Sequence, residues 1–150
     1  MIIYVSAPFS IGDQFVNVRN ACLAGDEILK RGHIPLVPHL TAFWHAITPR
    51  SWEEWLRIDM ALLGRCDALL RLPGVSKGAD AEEAEARRLQ LPIFYDVEDI
   101  PSYLEWIRCS LIFTKDGMKM QTGAILPMRT GKPLYIGVGI GISIPKRKNL

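Results

Sequence analysis

Two acidic side chains stand where helical spacing turns them toward apolar neighbours, with no cation three or four residues away on either side. In SKGADAEEAEARRL (76–89), Glu82 shares a helical face with Ala86 and Leu89, the stripe that would pack on a sheet. Glu83 and Glu85 have ordinary partners, Arg87 four residues on and Arg88 three on. In SWEEWLRIDMALLG (51–64), Asp59 lies within the stripe of Trp52, Trp55, Leu56, Leu62 and Leu63. Burying an unpaired carboxylate is costly, and such groups mark functional sites. A carboxyl in apolar surroundings has a raised pKa, suited to protonating a leaving group. Structural alternatives stay open: Asp59 could cap a neighbouring backbone, and Glu82 could use its own helix's N-terminal amides.

The elements that must position these acids follow from short apolar runs and their punctuation. IIYVSA (2–7), HIPLVP (33–38), CDALLRLP (66–73) and LPIFY (91–95) read as buried strands. Between them lie a helix over 17–32 with Gly32 at its stop, and a helix from Ser51 to Gly64 opened by the capping pair Ser51 and Glu54. A further helix starts at Asp80, where Asp80 and Glu83 repeat the cap pattern, and a short one covers 100–108. The aromatic stretch PHLTAFWHAITP (38–49) reads as a loop. Alternating strands and helices predict a flavodoxin-like or Rossmann-like α/β fold, a doubly wound parallel sheet with flanking helices. Such sheets bind ligands at the carboxyl ends of their strands, which directs attention to the loops after Ser6, Pro38 and Leu72.

The chain of 150 residues suits one domain over residues 1–115, with a C-terminal extension over 116–150. LIFTKDGMKM reads as a hairpin about Asp116-Gly117, and LYIGVGIGISI (134–144) as a strand or extension rather than a dinucleotide loop. Residues 1–100 carry ten Lys and Arg against fourteen Asp and Glu, net −4, and residues 101–150 carry eight against two, net +6. That acidic main portion argues against nucleic acid as a partner. The start MIIYVSAP lacks the basic stretch of a signal peptide, and no apolar run is long enough to span a membrane. Three scattered cysteines without CxxC fit reduced thiols in a cytoplasmic protein. His33, His39 and His45 have no metal-ligand spacing, so neither a metal nor another cofactor is expected.

Residues 1 to about 100 resemble the nucleoside 2-deoxyribosyltransferase-like superfamily, which includes deoxyribosyltransferases and deoxynucleoside-monophosphate N-glycosidases. The similarity is greatest to a branch with PHLT-FW and RCDALLRLPG-S-GAD segments. It rests on IYVSAP in the first strand, on Asp59 eight residues before Asp67, and on Ser76, Gly78, Glu82 and Ala86 in S-x-G-x-x-x-E-x-x-x-A. The resemblance implies that Glu82 is the nucleophile attacking the anomeric carbon. It implies that Asp59 holds or protonates at the reaction centre, and that Tyr4 lies beside the nucleophile. Ser76 matches the phosphate-binding serine of nucleotide-using members.

The expected ligand is therefore a small-molecule nucleoside or nucleotide. Ser6 and Pro8 at the first strand's end, and Ser76, Lys77 and Gly78 at the third loop, are substrate-binding candidates. His39, Phe43 and Trp44 are candidates for contacting the base, the alternative being ordinary aromatic packing over a sheet edge. The resemblance also implies a homodimer or larger homo-oligomer. Two other classes compete: a nucleotide-binding sensor without turnover, and a scaffold using the basic tail PKRKNL. Neither requires an inward pair of carboxylates.

Overall fold

The computed structural model describes residues 1–114 and 117–120, with side chains through residue 107. Four parallel strands form the sheet: β1 (Ile2–Ser6), β2 (Ile34–Leu36), β3 (Ala68–Arg71) and β4 (Ile93–Phe94), in the order β2-β1-β3-β4. The helices are α1 (Gln14–Lys30), α2 (Ala42–Ile47), α3 (Trp52–Leu63), α4 (Lys77–Arg88) and α5 (Tyr103–Ser110). This is the flavodoxin-like doubly wound order, whose crevice opens between β1 and β3 at their carboxyl ends. β5 (Leu111–Thr114) and β6 (Gly117–Met120) pair antiparallel, as the expected hairpin requires. The strand or extension over 134–144 and the basic tail lie outside the described residues.

Strand alternation divides the core into two layers. Ile3, Val5, Ala68 and Leu70 point to one face and pack with Ala21 and Ile28 of α1. Tyr4 and Leu69 point to the other and pack with Leu63 of α3 and Ala86 of α4. Ser6, two residues beyond Tyr4, belongs by the same period to the α3–α4 face. Both elements that carry the candidate acids thus cover the face to which Tyr4 and Ser6 point.

Three expectations change. Residues 38–47 are not a loop: a 3₁₀ turn over Pro38–Thr41 runs into α2. The first long helix starts at Gln14, not 17, because the Asp13 side chain accepts from the amides of Phe15 and Val16. The helix carrying Glu82 begins at Lys77, not Asp80, because Ser76 caps it by accepting from the Ala79 amide. Asp80 instead sits in the first turn and pairs with Arg71 at 2.9 Å. Ser51 and Glu54 form the reciprocal capping box of α3 as expected.

The loop after β3 is pressed against the loop after β1. Gly74 has φ +120°, and a Cβ there would lie 2.7 Å from Cγ of Pro8. Arg71, only 8 % exposed, ties this loop down by donating to the carbonyls of Leu72 and Gly74.

Candidate active site

Glu82 is 6 % exposed on the inner face of α4, at the carboxyl ends of β1 and β3. Tyr4 donates its hydroxyl to Oε1 at 2.7 Å, and Ser6 donates to Oε2 at 2.6 Å. Both oxygens therefore accept from buried hydroxyls, and among the described residues no cation pairs with the carboxylate. Burial pushes the Glu82 carboxyl up to about 7; the Ser6 and Tyr4 bonds and the more distant Arg71 pull down, while the charge of Asp59 pushes up. The Tyr4 hydroxyl is raised far above its usual range, first by burial and then by the charges of Glu82 and Asp59. It is a fixed donor, not a titrating acid.

Asp59 lines the same cavity from α3. Its Oδ1 is buried and has no hydrogen-bond partner among the described residues. Desolvation alone raises its carboxyl to about 6. Neither structural alternative applies: Asp59 caps no backbone through that oxygen, and Glu82 takes hydroxyls from β1 rather than amides of its own helix. Asp67, by contrast, accepts from the Ile2 amide at 2.8 Å and belongs to the opposite end of the sheet.

The cavity holds about 780 Å³. Ser76, Lys77 and Gly78 border it at the start of α4, where a helix leaves its first amides unsatisfied. His39 also lines it; its Nε2 meets the carbonyl of Pro8 at 3.0 Å, and burial lowers its pKa, so the ring is neutral at pH 7. Pro8 itself does not border this cavity. Its ring packs at Gly74 and its carbonyl anchors His39, so its position is architectural.

Phe43 and Trp44 are not on the cavity wall either. In a loop they could have faced inward, but α2 turns Ala42 and His45 to the cavity. Phe43 is left 73 % exposed, and Trp44 packs edge-on against Trp55 beneath the Arg50 guanidinium. The aromatic wall consists instead of His45, Trp52 and Trp55, with Phe9 from the first loop. Periodicity places Trp52 and Trp55 on the stripe of Asp59, which is the sequence signal for them.

Arg71 is the residue that sequence reasoning missed. It bonds Asp80 and lies 3.6 Å from Glu83, which also receives Arg87. Glu85 pairs with Arg88. The abundance of carboxylates at this helix start is thereby explained: Asp80, Glu83 and Glu85 serve arginines, and Glu82 alone enters the cavity. Among the described residues no cluster of His, Cys, Asp or Glu is arranged to hold a metal ion, and no helix is long and apolar enough to cross a membrane.

A family model described as a domain of unknown function (DUF7768) matches residues 1–96. No curated protein matches. Among solved structures, the chain is similar to a 2-deoxyribosyltransferase from the psychrotolerant bacterium Bacillus psychrosaccharolyticus. The two are 18 % identical over 62 % of this chain and 69 % of that one, with a TM-score of 0.48, a likeness too distant to argue from.

Proposed function

We propose that this chain, which belongs to the DUF7768 family, cleaves or exchanges at the N-glycosidic bond of a (2-deoxy)nucleoside or its 5′-monophosphate. The observation that carries this reading is Glu82, buried, held at both oxygens by hydroxyls, without a paired cation among the described residues and facing a cavity it shares with Asp59.

The Glu82 carboxylate attacks the anomeric carbon as the bond to the base nitrogen breaks. Positive charge builds on the sugar ring, and the Glu82 carboxylate stabilises it electrostatically. The electron pair leaves with the base, which takes its proton from Asp59. A glycosyl ester on Glu82 results. Water, deprotonated by Asp59, then releases free sugar, or a second base takes its place and is exchanged in. No metal or organic cofactor enters either step.

Tyr4 and Ser6 fix the rotamer of Glu82 and favour its anion. Burial raises both carboxyls, so in the free site the pair shares one proton. Asp59 is the less buried of the two, so a bound ligand desolvates it further and draws the shared proton to it. Ser76, Lys77 and the start of α4 suit a 5′-phosphate. The homo-oligomer implied by the resemblance would have apolar surface to bury at Leu40, Phe43 and Ile47, which are exposed.

The test is release of free base from a panel of deoxynucleosides and their 5′-monophosphates, measured by chromatography. Wild type releases base from at least one, and Glu82→Ala releases none. A panel on which wild type neither releases nor exchanges base would overturn the proposal.

A further inference from the structure

His45 is held on the cavity wall in a single tautomer. The indole Nε1–H of Trp55 can only donate, and it meets Nδ1 of His45 at 2.8 Å. The Arg50 amide also donates to that nitrogen, at 3.4 Å. Nδ1 is therefore an acceptor, and a neutral ring must carry its proton on Nε2. Nε2 is across the ring from these contacts; among the described residues it has no partner, and it is not one of the buried polar atoms left unsatisfied. Trp55 and Asp59 are four residues apart on α3, about 6 Å along the helix. A base whose glycosidic nitrogen lies at Asp59 thus extends along Trp55 toward His45.

We propose that His45 reads the nucleobase edge remote from the glycosidic bond, donating from Nε2 to a ring carbonyl. The site then selects bases with a carbonyl at that edge (uracil, thymine, hypoxanthine) over their amino counterparts (cytosine, adenine). An exocyclic amino group offers only donors there, which leaves the His45 proton facing another proton. Trp55 is a positioning residue: it supplies the aromatic wall and locks the tautomer that makes His45 a donor.

The inference rests on the N-glycosidic reading for its ligand, yet binding tests it without turnover. Trp52 and Trp55 line the cavity, so tryptophan fluorescence reports occupancy. Titrations would use the 2′-deoxynucleoside 5′-monophosphates of hypoxanthine and adenine, and of uracil and cytosine. Wild type is expected to bind each carbonyl member at least about fivefold more tightly than its amino partner. His45→Phe should bring both ratios to about one. His45→Gln, which keeps a donor, should restore part of the preference, and Trp55→Phe should weaken it with the fold retained.

Equal affinities in wild type, or ratios unchanged in His45→Phe, would overturn the inference. Base release with no carbonyl preference would sink this inference and leave the N-glycosidic reading standing. Carbonyl-selective binding without base release from any substrate would do the reverse.

Discussion

Tyr4 and Glu82, 78 residues apart in sequence, are joined by a 2.7 Å hydrogen bond in the buried crevice between β1 and α4. The bond makes the position of the Glu82 carboxylate a property of the sheet rather than of the helix alone. Removing it should leave a carboxylate that is present but loose. Tyr4→Phe is expected to lower kcat by about 10- to 100-fold, with KM less affected, because aim rather than ligand contact is lost. Ser6→Ala should act in the same direction. Steady-state kinetics on the preferred substrate would check both.

The pair of acids predicts a bell-shaped pH profile. In the proposed mechanism the working form holds one proton between Asp59 and Glu82. Burial raises their carboxyls to about 6 and about 7 respectively, so the singly protonated pair dominates between these values. Base release, read as kcat/KM, should peak there and fall on both sides. Asp59→Asn should lose the alkaline limb, since no proton donor remains to be titrated. A wild-type profile flat from pH 5 to 9 would contradict the shared proton.

Asp59 should also cost stability. Its carboxyl is raised in the folded state from 3.8 to about 6. The stability linked to the neutral form is fully present below pH 3.8 and is lost as pH rises through about 6. Wild type should therefore be less stable than Asp59→Asn at pH 8, by on the order of 1–2 kcal/mol after allowance for partial exposure. At pH 3.5 the two should match more closely. Denaturant unfolding at both pH values would measure the difference.

Gly74 should be intolerant of any side chain. Its positive φ and the 2.7 Å approach to Pro8 both oppose a Cβ. Gly74→Ala is expected to destabilise by roughly 1–3 kcal/mol and to lower activity through the displaced Ser76 loop. Thermal unfolding alongside kinetics would separate the two effects.

Much of this site is written in local periodicity. Glu82 and Asp59 are legible as inward acids because Ala86 and Leu89, and Leu56, Leu62 and Leu63, mark their helical faces. Tyr4 and Ser6 share a face by the period of two along a strand. Arg71 is not legible in the same way. Within CDALLRLP it reads as one more strand residue, and its partners Asp80 and Glu83 come from the far side of a turn. The start of α4 depends on one hydroxyl, that of Ser76, while Asp80 three residues from Glu83 offers an equally good local pattern. That Phe43 and Trp44 lie off the cavity wall is not legible for a related reason. Aromatic density and Pro38 suggest a loop, whereas the helical turn of α2 reverses which residues face in.

The central claim is that Glu82 bonds to the sugar. A 2-deoxy-2-fluoroarabinosyl nucleoside 5′-monophosphate slows breakdown of a glycosyl ester, because fluorine opposes positive charge at the anomeric carbon. The protein would be mixed with this compound, quenched in acid, digested and mapped by mass spectrometry. The account predicts one fluorosugar phosphate on the peptide bearing Glu82, one equivalent of free base, and neither product with Glu82→Gln. Base release with the adduct on another residue, or undiminished release by Glu82→Gln, would contradict it.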